Sequence, residues 1–247
     1  MLTSFAGATL FGERYGDDEP TVLALHGWQR SHTDFAAMFA EVAGRGMGGV
    51  AVDLPGFGAT PPPPAPWGSA EYAAALAPLV AELGRPVVVL GHSFGGRIAL
   101  HLAAAAPAQV RGLVLTGVPQ LGEPAAGPRP PAAYRALRAL RRARLVGERR
   151  LDVARERYGS TDYRAASGVL RPVLVRVLAE RYDEQLRAIG VPTELVWGEH
   201  DTAAPPASAR RAVELLADGR LTVLPGVGHL VPIEAPAALA AALERLG

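Results

Sequence analysis

Short apolar segments recur along the chain and alternate with longer segments of helical pattern. The apolar segments are rich in Val and Leu and lack alternating polar positions, which is typical of strands buried on both faces. They occupy residues 21–25, 49–52, 86–90, 110–115, 193–197 and 220–224. The helical segments that lie between most of them are residues 35–42, 69–83, 97–106, 207–217 and 237–246. This alternation predicts an α/β fold, a largely parallel sheet with helices on both faces.

Two regions depart from this alternation. Residues 8–15 form a strand-like segment near the start of the chain, where we expect antiparallel edge strands. Residues 119–187 begin with a Pro- and Gly-rich stretch and continue with helical patterns, without a strand followed by a helix. They predict a helical insertion into one core domain, which is formed by residues 1–118 and 188–247. Ser69 is expected to be the N-cap of the second helix.

The composition excludes several classes of function. The chain is 49% hydrophobic and 20% charged, and its net charge is +1. Such a chain has no overall field that would attract nucleic acid or an anionic membrane. The 25 basic residues are all arginines, a bias that we attribute to a GC-rich bacterial genome. The absence of cysteine excludes disulfides, a cysteine nucleophile and thiolate metal sites.

The sequence also bears on the location of the protein. No apolar stretch reaches the length of about 18 residues that a membrane span requires. Residues 1–5 lack the basic and hydrophobic regions of a secretory signal. We therefore expect a cytoplasmic protein without a membrane span.

The strand-like residues 86–90 lead into the motif GHSFGG at residues 91–96, which a helical segment follows. A serine at a sharp strand-to-helix turn is lifted out of the sheet in a strained backbone conformation, so that substrate can reach its hydroxyl. Such a turn brings the residues two before and two after the serine close together, and Gly91 and Gly95 satisfy this steric demand. We predict that Ser93 is a catalytic nucleophile; the alternative is a packing turn of small residues.

Five motifs spread over nearly the whole chain resemble those of serine hydrolases of the α/β-hydrolase fold. They are LALHGW at residues 23–28, VDLPGFG at 52–58, GHSFGG at 91–96, WGEHD at 197–201 and GVGHLVPIEAP at 226–236. The resemblance implies a mostly parallel central sheet with helices on both faces and a helical lid inserted after the sixth strand. The insertion at residues 119–187 would then be the lid over the active site, and its residues would set the specificity.

A serine hydroxyl needs a base at neutral pH, and the chain has six histidines. His229 follows the last predicted strand in a glycine-flanked loop, which is where the family resemblance places the catalytic base. A histidine that only tethers this loop is the alternative. The other histidines, for which we expect core, surface or loop-orienting roles, are His26, His32, His92, His101 and His200.

The base needs an acid that fixes its tautomer and stabilises its cation. Asp201 lies just past a predicted strand, which gives the chain order Ser93, Asp201, His229 that is expected for this fold. Glu199, two residues nearer the strand, is the alternative acid. Asp53 begins the DLPGFG sequence and is expected to hold a tight loop instead.

The oxyanion hole of such an enzyme should use two backbone N–H groups. One would belong to Phe94, directly after the nucleophile, and the other, by resemblance, to Trp28, which follows His26 and Gly27. The indole of Trp28 would also line the acyl pocket, so that Trp28 and Phe94 are the predicted substrate-binding residues. A plain core role for Trp28 is the alternative.

The serine at position 93 distinguishes this chain from hydrolases of similar fold that use aspartate at the same turn. It favours acyl transfer to water, and a small-molecule ester is the expected substrate, because alkoxides and thiolates leave more easily than amines. Nothing in the sequence resembles a metal site or a phosphate loop. The glycine-rich residues 44–49 precede a strand, whereas dinucleotide-binding loops follow one. We therefore predict no metal and no cofactor.

Residues 129–150 contain eight arginines and one glutamate, a local charge of +7. A solvated face explains them, or they dock an anionic substrate or an acidic partner. The motifs also resemble esterases that cleave the methyl ester of pimeloyl on acyl carrier protein, in which lid arginines bind the carrier. A carrier-protein-linked methyl esterase or thioesterase is thus one alternative function. A non-catalytic small-molecule receptor on a hydrolase scaffold is another.

Overall fold

One eight-stranded sheet forms the centre of the protein in a computed structural model that describes residues 1–16, 19–43, 45–121, 132–143, 145–147, 149–150 and 161–247. The strands are β1 (Leu2–Phe5), β2 (Leu10–Tyr15), β3 (Pro20–Leu25), β4 (Gly48–Asp53), β5 (Val87–His92), β6 (Val110–Thr116), β7 (Thr193–Gly198) and β8 (Gly219–Leu224). They lie in the order β1-β2-β4-β3-β5-β6-β7-β8. The strands from β4 to β8 in this order pair in parallel, and β1 and β2 are antiparallel additions at one edge.

The helices follow the strands along the chain. They are α1 (Ala36–Val42), α2 (Ser69–Glu82), α3 (Phe94–Ala105), α4 (Ala132–Arg142), α5 (Thr161–Ala165), α6 (Leu170–Val177), α7 (Asp183–Ala188), α8 (Pro206–Leu215), α9 (Val231–Glu234) and α10 (Pro236–Leu246). A 3-10 turn, His32–Phe35, precedes α1. Of the helices in the described ranges, none has both the length and the apolar character that crossing a membrane would require.

Both faces of the central strands are buried. In β3, Leu23 and Leu25 pack into the core on the side of α2 and α3. Val22 and Ala24 of the same strand pack into a second core, on the side of α1 and α10. Because neither face meets water, these strands need no alternating polar positions. The predicted sheet with helices on both faces is confirmed.

The predicted parallel strands are all present, with their ends shifted by at most two residues. The predicted edge strand at residues 8–15 is β2, which pairs antiparallel with β1 on one side and β4 on the other. The predicted helix that begins at residue 97 begins at Phe94 instead. Gly95 and Gly96 have no side chains that would clash with the neighbouring backbone or with Val118, so the helix begins directly after the serine.

The predicted N-cap of α2 is wrong. Gly68 is the N-cap residue, and its N–H donates to Oε2 of Glu71 at 3.0 Å. Ser69 lies inside the first turn and is fully buried, and its Oγ donates to Oε2 of Glu180 at 2.6 Å. The hydroxyl of Ser69 therefore hydrogen-bonds the distant carboxylate of Glu180 and does not cap the helix.

The segment between β6 and β7 contains helices α4 to α7 and corresponds to the predicted insertion at residues 119–187. The two strands nevertheless pair directly, with Leu113 opposite Thr193. Of the predicted insertion, residues 122–131, 144, 148 and 151–160 lie outside the described residues. The division into core and lid stays a prediction.

Arg97 of α3 attaches this segment to the core. Its guanidinium donates to the carbonyl of Val177 and, at 3.3 Å, to the hydroxyl of Tyr182 and to Oε1 of Gln120. The side chain is buried. All three acceptors lie between β6 and β7 in the chain, so this one arginine holds the base of the inserted segment against α3.

The connection from β5 to α3 is a single residue, Ser93. A Cβ on Gly91 would lie 2.5 Å from Cα of Gly96, and a Cβ on Gly95 would overlap the carbonyl oxygen of Leu25. At both glycines the nearest atoms belong to the backbone, which cannot shift to make room for a side chain as a flexible side chain could. The sharp turn therefore requires glycine on both sides of the serine.

Gly95→Ala should lower the free energy of unfolding by about 3 kcal/mol, because the added methyl group meets the backbone of β3. Urea denaturation measures this. Gly190→Ala is the matched control, because a Cβ there meets nothing within 4 Å. Equal free energies of unfolding for the two variants would contradict the close packing of α3.

Candidate active site

The carboxyl ends of the central strands surround a cavity of about 1110 Å³. Ligands bind at this edge in sheets of this type, where the strand order reverses direction. The walls come from the loops after the strands and from the segment between β6 and β7. Residues that line the cavity include Trp28, Ser93, Leu174, Leu178, Asp201 and His229.

Ser93 occupies the turn with φ of 50° and ψ of −109°, a backbone conformation that residues other than glycine rarely adopt. Its N–H donates to the carbonyl of Thr116 at 2.9 Å, and its own carbonyl accepts the N–H of Gly96 at 3.1 Å. Hydrogen bonds on both sides of the residue thus hold the strained conformation. Ser93 lines the cavity, as the sequence predicted for a nucleophile.

His229 and Asp201 form a hydrogen-bonded pair in the wall of the same cavity. The Nδ1–H of His229 donates to Oδ2 of Asp201 at 2.8 Å. Oδ1 of Asp201 accepts the N–H groups of Ala203 at 2.9 Å and Ala204 at 2.7 Å, so both carboxylate oxygens have partners. The pair fixes the tautomer of the imidazole and leaves Nε2 as the nitrogen available to other groups.

Glu199, the alternative acid, lies at the mouth of the cavity with more than half of its side chain exposed. Its Oε2 accepts the N–H of Gly226 at 3.1 Å and lies 3.7 Å from Nε2 of the exposed His200. Glu199 therefore holds the turn after β8, and the structure pairs His229 with Asp201 instead.

Glu234 holds the loop that contains His229, a contact that the sequence analysis did not predict. Its Oε2 accepts the N–H of Gly228 at 2.7 Å, and its Oε1 accepts the N–H of Leu230 at 2.9 Å. The carboxylate thus bridges the residues on both sides of His229. The only sequence signal is the position of Glu234 in the motif GVGHLVPIEAP.

Two further histidines hold loops near the site. The Nδ1–H of the buried His26 donates to the carbonyl of Gly27 at 2.7 Å, and its Nε2 accepts the N–H of Leu54 at 2.9 Å. The Nδ1–H of His32 donates to Oδ1 of the buried Asp53 at 2.8 Å. Oδ2 of Asp53 also accepts the N–H of Ala59 at 2.8 Å, across the DLPGFG loop. His26 and Asp53 thus make the loop-holding contacts that the sequence predicted.

The amides of Trp28 and Phe94 donate no hydrogen bond to any residue that the structure describes. The next amide, that of Gly95, donates to the carbonyl of His26 at 3.0 Å and so ties the start of α3 to the loop of Trp28. The Trp28 ring lines the cavity and packs edge-on against Phe94, with ring centroids 5.4 Å apart. The Phe94 side chain is buried, and its contact with substrate stays a prediction.

A hydroxyl and an imidazole–carboxylate pair thus line one cavity, and the amides of Trp28 and Phe94, next to this site in the chain, have no partner among the described residues. This set of groups is suited to nucleophilic attack on a polarised carbonyl carbon. In the described part of the chain, no group of three or more His, Cys, Asp or Glu side chains could hold a metal ion.

Comparison with known proteins agrees with this architecture. Residues 22–242 match the Alpha/beta hydrolase family. The pimeloyl-[acyl-carrier protein] methyl ester esterase of Neisseria meningitidis is 30% identical over 245 residues, which cover 91% of each chain. Lipase LipV of Mycobacterium tuberculosis is 43% identical over 112 residues, or 42% of this chain and 39% of the lipase. The structure of a bromoperoxidase from Bacillus anthracis superposes with a TM-score of 0.75 and 17% identity, covering 100% of this chain and 99% of that one.

The buried His26 should make the protein less stable in acid. Burial lowers the pKa of His26 to about 4, whereas in the unfolded chain a histidine titrates near pH 6.5. Between these values the unfolded chain binds more protons than the folded chain, so a falling pH favours unfolding. We expect this residue to lower the free energy of unfolding by roughly 2 kcal/mol between pH 7 and pH 5, measured by urea denaturation.

His26→Gln removes this titration but retains a donor and an acceptor, so the stability of the variant should depend less on pH. The exposed His200→Gln is the matched control and should keep the slope of the wild type. A His26→Gln protein that loses stability as steeply as the control would refute the prediction.

Proposed function

Because this chain belongs to the α/β-hydrolase family, we propose that it hydrolyses carboxylic esters through an acyl-serine intermediate. The main support is that the strained Ser93 and the Asp201-paired His229 line one cavity. The proposed triad consists of the three residues that the sequence motifs singled out.

In the acylation step, Oγ of Ser93 attacks the ester carbonyl carbon while Nε2 of His229 takes the hydroxyl proton. Asp201 accepts the Nδ1–H and stabilises the positive charge that develops on the imidazole. The tetrahedral intermediate then collapses, the ester C–O bond breaks, and the departing alkoxide takes the proton from Nε2. The alcohol leaves, and the acyl group stays on Ser93.

Deacylation repeats these steps with water as the nucleophile. His229 takes a proton from water, and the water oxygen attacks the acyl carbon. The bond to Oγ breaks, and Ser93 recovers its proton from Nε2. One ester and one water become one carboxylic acid and one alcohol, without a cofactor or any other reactant.

The amides of Trp28 and Phe94 are the proposed donors to the oxyanion. Their support is that neither N–H has a partner among the described residues, and that the Gly95–His26 hydrogen bond holds the two loops together. Donors that are fixed before the reaction stabilise the developing charge without reorganisation, and one such donor contributes roughly 10²- to 10³-fold in rate.

The segment between β6 and β7 is the proposed lid. It contributes Leu174 of α6 and Leu178 to the cavity that Ser93 lines, and Trp28 adds an aromatic surface from the core domain. These apolar side chains suit the hydrocarbon part of an acyl group. Substrate selection would therefore depend on the lid, and the reacting groups on the core.

Ser93→Ala should lower kcat for p-nitrophenyl esters by roughly 10⁴- to 10⁶-fold, because the nucleophile is lost while the fold is kept. Initial rates on esters from acetate to dodecanoate measure this, and the chain-length profile of the wild type measures the acyl pocket. Substantial activity in Ser93→Ala would exclude the acyl-serine mechanism.

Two matched amide variants identify the acid in the same assay. Asp201→Asn should lower kcat by roughly 10⁴-fold, because the amide no longer supports the correct imidazole tautomer. Glu199→Gln should have a far smaller effect, because Glu199 contacts Gly226 rather than His229. The opposite order of effects would assign the acid role to Glu199.

We infer a second candidate function, hydrolysis of a methyl ester or thioester whose acyl group is attached to an acidic carrier protein. The Neisseria relative supports it, because that protein is a pimeloyl-[acyl-carrier protein] methyl ester esterase and aligns over most of both chains. The positive charge of residues 129–150 also supports it. Arg135, Arg149 and Arg150 are exposed there.

The combined variant Arg135→Glu, Arg149→Glu, Arg150→Glu should lower kcat/KM for a carrier-linked methyl ester by roughly tenfold or more, through slower association. The difference should shrink at high salt, which screens exposed charges. Hydrolysis of p-nitrophenyl butyrate by the same variant is the control and should match the wild type. Equal loss on both substrates, or no loss on the carrier, would reject carrier docking by these arginines.

A further inference from the structure

His92 ends β5 directly before Ser93, and its side chain is buried. Its Nε2 lies 3.0 Å from the carbonyl oxygen of His229, and the centroids of the two rings are 5.0 Å apart. On the other side, Gly27 lies so close that a Cβ there would be 2.9 Å from Nδ1 of His92. The ring therefore fills the space between the loop of His229 and the loop that continues to Trp28.

The hydrogen bond to His229 fixes the tautomer of His92. A carbonyl oxygen only accepts, so Nε2 must have the proton and Nδ1 must be bare. Among the described residues, Nδ1 is buried without a hydrogen-bond partner. A second proton on Nδ1 would thus have no acceptor, and burial lowers the pKa of His92 to about 3. The ring is therefore neutral near pH 7, with its one proton on Nε2.

This bond is a direct link between the strand of the nucleophile and the backbone of the base. The loop has other hydrogen bonds: Glu234 accepts two of its N–H groups, Asp201 accepts the Nδ1–H of His229, and the carbonyl of Val227 accepts the N–H of His200 at 2.9 Å. These contacts tie the loop to its own residues and to the residues that follow β7, and none of them reaches β5. A displacement of about 1 Å in a catalytic group lowers a rate by roughly 10²-fold.

We propose that His92 is a positioning residue, which holds the backbone of His229 at its working distance from Ser93 and supports the loop of Trp28 from behind. The inference rests on the proposed function, because a fixed distance between the two groups matters only if a proton passes between them. The expected loss lies in kcat rather than KM, because the geometry is needed in the transition state and not for substrate binding.

The test compares His92→Met with His92→Gln. The two side chains have similar length, but only glutamine keeps an N–H donor near the position of Nε2. His92→Met should lower kcat by roughly 10- to 100-fold with little change in KM, and His92→Gln should recover much of this loss. His101→Met is the control for the substitution itself, because His101 lies on α3 with its ring beside Tyr182.

A proton NMR measurement distinguishes a displaced His229 from a general loss of folded structure. The Nδ1 proton of His229 in its hydrogen bond to Asp201 should give a strongly deshielded proton resonance. We expect this resonance to shift or broaden in His92→Met and to return toward its wild-type position in His92→Gln. Wild-type kcat and an unchanged resonance in His92→Met would overturn the role of His92.

The Ser93→Ala variant distinguishes a failure of the positioning role from a failure of the acyl-serine mechanism. If it is inactive while His92→Met is fully active, only the positioning role is wrong. If it is active, the acyl-serine mechanism is wrong. Should His92→Met not fold, nitrogen-15 spectra of the wild type decide the question. A neutral His92 protonated on Nε2 supports the proposal, and a proton on Nδ1 at neutral pH overturns it.

Discussion

The close packing of α3 against the ends of β3 and β5 is the constraint on which the site depends. Gly91 and Gly95 allow this approach, because any side chain there would meet backbone atoms. The same approach forces Ser93 into its strained conformation and brings the amide of Gly95 to the carbonyl of His26. Ser93 and the loop of Trp28 are therefore aligned by one set of contacts, and a change in the position of either would displace the other.

The second half of the site is held mainly by hydrogen bonds to the backbone rather than by packing. The loop of His229 follows β8, an edge strand that is only partly buried. Glu234 fixes the loop, Asp201 fixes the imidazole, and Gly117 leaves room for the ring, which lies 2.9 Å from where a Cβ would be. These hydrogen bonds orient the His229 side chain at an edge of the sheet where few buried side chains pack around it.

The strands of the central sheet could be predicted from the sequence, because they are buried on both faces and a local apolar run identifies each one. It also singled out Ser93, Asp201 and His229, whose motifs follow strand ends and which line one cavity in the structure. It could not locate Glu234 or the contact of His92, because these groups bind the backbone of distant or unmarked residues. The error at Ser69 has the same origin, since Glu180, which takes its hydroxyl, comes from a segment far along the chain.

The pairing of β6 with β7 has a consequence for how such a protein can change. These neighbouring strands are separated in the chain by residues 117–192, so the sheet must close over this whole segment when it folds. Loop-closure entropy grows slowly, by about 0.6 kcal/mol for each doubling of the length. The loop-closure cost would therefore change little if this segment were lengthened or shortened. A change of length would lower the folding stability mainly where the segment packs on the core, as at Val173, Val177 and Tyr182.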